Sequence, residues 1–120
     1  MTRKEQYQWF CKSLANLLNY CALNNMVVKG MEWYRTPERA AQLSKEGTGI
    51  KNSKHCFSLA VDLYLVTESG KDIIWGKKGT AGAEKYKLLG IYWESMGGIW
   101  GGNFSSLYDP YHFEVNGKPA

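Results

Sequence analysis

His55 and His112 are the only histidines in the chain, and each stands near an aspartate in a segment that runs into apolar, strand-like residues. The first segment is Ser53-Lys54-His55-Cys56-Phe57-Ser58-Leu59-Ala60-Val61-Asp62, and the second is Asp109-Pro110-Tyr111-His112-Phe113-Glu114. Two imidazoles and a carboxylate suit Zn2+, and three protein ligands leave a fourth tetrahedral position for water, as catalytic zinc sites do. The separation of His55 from Asp62 is too long for adjacent turns of one helix. It suits a loop ligand followed by a strand ligand, with His112 arriving on a neighbouring last strand. Any fold of this chain therefore has to bring its two halves together around these side chains.

An aspartate inside Ala60-Val61-Asp62-Leu63 places a charge in an apolar run, at a cost of several kcal/mol unless a cation compensates it. A metal ion is one compensation; Arg35 and Lys54 are others. Asp109 precedes His112 by three residues and can face the same site as a proton carrier for an activated water, or serve as a turn aspartate before Pro110. Alternation along a strand puts Glu114 on the same face as His112, where it can orient a ligand. Arg35 can grip a carbonyl or carboxylate bidentately, or form a surface ion pair with Glu32 or Glu38.

The remaining pattern indicates a small α+β domain. Tyr7, Phe10, Leu14, Leu17, Leu18 and Cys21 recur at helical spacing across residues 4–22, with Asn24-Asn25 as the stop. Residues 26–34 read as a strand. Thr36-Pro37-Glu38 opens a short helix to Lys45, with Thr36 as its cap. The Gly- and Ser-bearing segment 46–53 is a loop whose lysine chemistry lies close to the proposed metal. Residues 59–66 form a mostly buried strand, paired through the turn 68–71 with a hairpin partner at 72–75. After a loop at 76–82, a second long helix covers 83–96 and ends at Gly97-Gly98. The glycine-rich segment from Ile99 is a loop leading to a last strand at 111–115.

With 120 residues, 44% of them hydrophobic, the chain suffices for one core, and a single domain spanning 1–120 is expected. The net charge of +4 favours anionic surfaces, but the basic residues are scattered, so no nucleic-acid partner is expected. Three cysteines without C-x-x-C spacing indicate neither a disulfide framework nor a thiolate zinc site. No segment has the length and apolarity of a signal peptide or a membrane span. The expectation is a monomer made in a reducing compartment without a leader.

Ser53-x-His55, then Asp62, then Asp109-x-x-His112-Phe113-Glu114 preceded by Trp100-Gly101-Gly102, with Tyr34-Arg35-Thr36-Pro37-Glu38 upstream, resembles the M15 family of zinc peptidases. The likeness runs from about Trp33 to Glu114 and is nearest to the small L-alanyl-D-glutamate peptidases of phage endolysins and bacterial wall-lytic enzymes. The resemblance implies an antiparallel sheet with flanking helices, as in D-Ala-D-Ala metallopeptidases, and Zn2+ held by His55, Asp62 and His112. It implies Asp109 as general base and acid, Arg35 on the scissile carbonyl or substrate, and Ser53, Glu114 and Trp100 in a substrate-facing or supporting shell. The implied partner is a peptidoglycan stem peptide, reached at the cell wall after phage-mediated release. Alternatives are a D,D-carboxypeptidase or D-Ala-D-Ala dipeptidase, and a non-catalytic wall-binding domain. Three positions depart from the family pattern: Trp33 and Ser58 stand where glycines are usual, and Tyr111 separates Pro110 from His112.

Overall fold

The computed structural model describes residues 1–47, 49–50 and 53–120, the side chain of Met31 apart; Lys51, the lysine expected near the metal, lies outside the described residues. The chain runs α1 (Arg3–Leu23), β1 (Val27–Glu32), α2 (Pro37–Lys45), β2 (Ala60–Val66), β3 (Ile73–Ile74), α3 (Ala81–Ser95), β4 (Ile99–Trp100) and β5 (His112–Glu114). Short 3-10 turns at Lys54–Phe57 and Gly101–Asn103 precede β2 and follow β4. The strands form one antiparallel sheet in the order β1-β2-β5-β4, with β3 also paired to β2. This is the expected α+β arrangement.

Local chemistry sets the element ends. Thr2 and Glu5 form a reciprocal capping box at the start of α1, satisfying donors that the first turn leaves open. Thr36 caps α2, and Pro37 occupies the first helical position, where its missing N–H costs nothing. Thr80 caps α3, which therefore begins two residues before the expected Ala83. In α1 the buried face is Gln6, Phe10, Ser13, Leu14, Leu17 and Cys21, while Tyr7 and Leu18 are largely exposed. The structure corrects the apolar stripe: Tyr7 and Leu18 leave it, the polar Gln6 and Ser13 are buried, and Gln6 is used to hold the C-terminal segment. Its amide donates to the Lys118 carbonyl and accepts from the Ala120 N–H.

Alternation along β2 separates two kinds of chemistry. Val61, Leu63 and Leu65 join the core with Phe10, Leu14 and Leu17 of α1 and with Tyr86, Leu89 and Trp93 of α3. Asp62 and Tyr64 consequently point to the opposite face. Buried aromatic side chains fasten the strands through their polar tips. The Tyr86 hydroxyl accepts from Leu65 N–H and donates to the Ile74 carbonyl, and the Trp93 indole donates to the Glu114 carbonyl.

The segment 99–103, expected to be loop, contributes the edge strand β4 and a 3-10 turn. Glu94 holds it from α3, accepting from the Trp100 N–H and the Asn103 amide. Trp100 lies flat enough on α3 that a Cβ at Gly90 would overlap its indole. Replacing Gly90 with Ala should therefore lower stability by about 1–3 kcal/mol through overpacking, despite the roughly 1 kcal/mol by which Ala favours a helix. Urea denaturation of the two proteins measures the difference, and an unchanged midpoint would contradict this packing.

Candidate metal centre and cleft

His55, Asp62 and His112 converge on the sheet face opposite α1 and α3. One ligand atom from each lies within 4.8 Å of the other two. The His55 Nε2 and His112 Nδ1 atoms each stand 3.3 Å from the same Asp62 oxygen, Oδ1. β2 pairs with β5 so that Asp62 lies opposite His112, which accounts for two of the three. The third comes from the 3-10 turn before β2, where the Ser53 hydroxyl accepts from the His55 N–H and caps the turn. Ser53 is buried and borders the cleft, so its clearest contribution is to place His55.

The other ring nitrogens determine how the imidazoles present themselves. His55 Nδ1 lies 3.1 Å from the Trp33 carbonyl, and His112 Nε2 lies 2.8 Å from Glu114 Oε1. Both partners are acceptors, so Nδ1 of His55 and Nε2 of His112 carry the hydrogens. In the neutral rings, lone pairs on His55 Nε2 and His112 Nδ1 then face a carboxylate oxygen. Three acceptors directed at one another require a cation, either protons or a metal ion, and this donor set fits a divalent metal.

The electrostatics reflect the same crowding. Burial opposes ionisation of Asp62, but hydrogen bonds and charge from His112 and His55 outweigh it and hold the pKa at about 2. Burial lowers the pKa of His112, yet Asp62 and Glu114 raise it to about 9. Glu114 is disfavoured by burial and then pulled below the usual carboxylate range by His112 and Lys54. Lys54 forms an ion pair with Glu114 and donates to the Val115 carbonyl at 3.0 Å, so it braces the last strand rather than neutralising Asp62.

A cleft of about 320 Å3 opens over these residues, bordered also by Arg35, Lys54, Asp109 and the apolar Ile50, Phe104 and Leu107. The apolar wall was not anticipated, since isolated Ile, Phe and Leu residues in loop segments carry no periodic signal. Arg35 lies just beyond β1, paired through Nε and Nη2 with Glu32 and 3.9 Å from Asp62 Oδ2. The ion pair with Glu32 that the sequence allowed is thus present, and Arg35 nevertheless borders the cleft. Asp109 Oδ1 accepts from the Tyr111 N–H at 3.3 Å, while burial and then the Asp62 charge push its pKa up. Its backbone N–H donates to the Gly101 carbonyl, and a Cβ at Gly101 would strike the Asp109 carbonyl. Of the two places allowed for Trp100, substrate-facing or supporting, its burial and hydrogen bonding fit the second. It is only 5% exposed and donates its indole N–H to the Pro110 carbonyl, so it supports the 109–112 segment from behind. If the cluster holds a divalent metal ion, removing the Glu114 negative charge as Glu114→Gln should weaken its binding by about 10–100-fold, as loss of a ligand-orienting partner does. Calorimetric titration of chelator-stripped protein reads this directly, and wild-type affinity in the variant would exclude such a role.

A family profile described as D-alanyl-D-alanine carboxypeptidase, within the M15 peptidases, matches residues 46–115. Among solved structures, the chain is similar to the Serratia marcescens L-Ala D-Glu endopeptidase ChiX, with 19% identity and a TM-score of 0.65, over 97% of this chain and 87% of that one. It is also similar to the LD-carboxypeptidase LdcB, with 18% identity and a TM-score of 0.60, over 92% of this chain and 58% of that one. At these identities the structural likeness is one of fold. The profile covers more than half of the chain and includes both histidine segments, so the protein belongs to the M15 family of peptidases.

Proposed function

We propose that the protein is a zinc-dependent endopeptidase that cuts the peptidoglycan stem peptide at the L-Ala–D-Glu bond. The observation that carries the proposal is the meeting of His55 Nε2 and His112 Nδ1 on one Asp62 oxygen at the floor of a cleft. His55, Asp62 and His112 would hold the ion, and zinc suits their nitrogen and oxygen donors. When bound, such an ion supplies Lewis acidity that activates water and polarises a carbonyl.

The surrounding residues have separable tasks. Asp109, whose half-buried carboxylate has a raised pKa, takes a proton from the attacking water and returns it to the leaving amine. Arg35 uses Nε and Nη2 on Glu32; among the described residues Nη1 makes no hydrogen bond, and it would meet the oxygen of the scissile carbonyl as charge develops there. Glu114 keeps the His112 hydrogen on Nε2, and Lys54 keeps Glu114 in place. Ile50, Phe104 and Leu107 exclude water from the bound peptide.

The family description favours a second reading, a carboxypeptidase releasing a terminal D-alanine. A free C-terminal carboxylate calls for an uncommitted cation. Among the described residues bordering the cleft, Arg35 and Lys54 already pair with Glu32 and Glu114. The choice of an internal bond rests on the likeness to an L-Ala D-Glu endopeptidase over 97% of this chain. The expected setting is the bacterial cell wall, with a phage or prophage lysin as the biological context.

Incubation of the zinc-loaded protein with defined stem peptides tests both readings by mass spectrometry. Cleavage between L-Ala and D-Glu is expected, with loss of activity on chelation; release of D-alanine alone would favour the carboxypeptidase. Asp109→Ala should lower kcat by about 10²–10⁴-fold, the usual contribution of a general acid–base, while zinc content stays at the wild-type level. Near-normal turnover in that variant would remove Asp109 from the chemistry.

A further inference from the structure

The sheet face that carries Asp62 continues along β2 into a group of aromatic rings that the proposed peptide chemistry does not use. Tyr64 shares the Asp62 face by alternation, two residues further along β2. Tyr111, the neighbour of His112, stacks on Tyr64 with ring centroids 4.4 Å apart and planes 12° apart. Trp75 follows β3 directly and stands nearly perpendicular to both rings, at 6.1 Å from Tyr64 and 6.3 Å from Tyr111. It is nevertheless 61% exposed.

This group is fixed in place by hydrogen bonds. The Tyr111 hydroxyl accepts from the Gly76 N–H at 2.9 Å, and the Tyr108 hydroxyl donates to the Gly76 carbonyl at 2.7 Å. Two phenols therefore hold both polar groups of the residue that follows Trp75. The Tyr86 ring meets Tyr111 edge-on at 4.9 Å, which ties the group to the core. Lys78 lies over the Tyr108 ring at 4.9 Å and adds a donor at the rim. Rings held this way lose little conformational freedom when they bind, and they offer apolar area beside hydroxyls.

The shape selects the ligand. A perpendicular indole beside a stacked pair of phenols makes a corner with two apolar walls and polar edges. The methyl side chains of alanine residues in a stem peptide are too small to cover it. A pyranose ring has a flat face of C–H groups and a rim of hydroxyl and amide groups, and it matches both features. We infer that Trp75, Tyr64 and Tyr111 form a saccharide subsite that takes an N-acetylated sugar of the glycan strand while the attached peptide enters the metal cleft. The choice of sugar rests on the wall-peptide reading above; the subsite itself rests on the ring geometry.

The test separates the two. Metal-free protein, which has no peptidase activity to interfere, is titrated with a peptide-free β-1,4-linked N-acetylglucosamine tetramer and followed by the indole N–H resonances. The Trp75 signal should shift and that of buried Trp93 should not. Trp75→Ala should reduce affinity at least tenfold, with Trp75→Phe, which retains a packing ring, intermediate. With zinc-loaded protein, the kcat/KM ratio of a disaccharide-bearing stem peptide to the free peptide should fall about tenfold in Trp75→Ala. A Trp75 resonance unmoved at millimolar sugar would overturn the subsite even if stem peptides are cut. A shift that instead follows protein concentration would overturn it in favour of a face between copies. Sugar binding without any peptide cleavage would sustain the subsite and sink the peptidase proposal.

Discussion

Three acceptors directed at one point set the terms for the rest of the site. Neither the Trp33 carbonyl nor the Glu114 carboxylate can donate a hydrogen bond, so each fixes the tautomer of the histidine it faces. The lone pairs of His55 and His112 are thereby turned toward Asp62 Oδ1. Left without positive charge, this arrangement is repulsive, and the raised pKa of His112 is the response available without a metal. The surrounding structure is built to withstand that repulsion. Ser53 caps the turn bearing His55, the β2–β5 register sets Asp62 opposite His112, and Lys54 ties the His55 turn to Glu114 and Val115.

The three departures from the family pattern have local physical accounts. Ser58 adopts a left-handed conformation with φ of 57°, the region where glycine is usual and a serine side chain is tolerated at modest cost. The Trp33 indole donates to the Ser58 carbonyl at 3.0 Å, so two of the unusual residues support each other. Trp33 still performs the task that needs no particular side chain, because its carbonyl is what faces His55. Tyr111 fills the gap along the β2 edge between β5 and β3: its carbonyl accepts from Leu63, and its ring covers Tyr64. The ligand positions survive these changes because the sheet register and the Ser53 cap determine them.

Much of the fold was legible where a local rule acts alone. The bounds of α2 follow from Thr36 and Pro37, and the turn at 68–71 returns the chain to β2 as its polar residues suggest. The meeting of His55, Asp62 and His112 was legible because the chain has so few histidines and both sit beside carboxylates. What was hidden depends on distant partners. Nothing in Ile99-Trp100 announces a strand until Glu94 and β5 are placed beside it. Trp100 could be read only as substrate-facing or supporting; the choice needs Gly90 of α3, which lets its indole press on that helix, and Pro110, whose carbonyl accepts its N–H. Lys54 and Glu114 lie sixty residues apart, so their ion pair follows only from the sheet register.

The same pairing logic separates the carboxylates of the cleft by task. Glu114 is held by Lys54 and His112, and Asp62 by two histidines and, more distantly, Arg35; all these partners favour the ionised form. Asp109 is different. Among the described residues it makes no ion pair, its Oδ1 accepts one backbone hydrogen bond, and burial and the neighbouring Asp62 charge act to keep a proton on it. A carboxylate whose charge is firmly stabilised is a poor proton carrier, because giving up the stabilised state is costly at each transfer. In the proposed reaction the firmly paired groups can fix geometry, and Asp109 is the carboxylate left to exchange a proton. Trp100 and Gly101 then matter through the backbone, since they hold the segment from Asp109 to His112 that in this proposal carries both the proton carrier and a ligand.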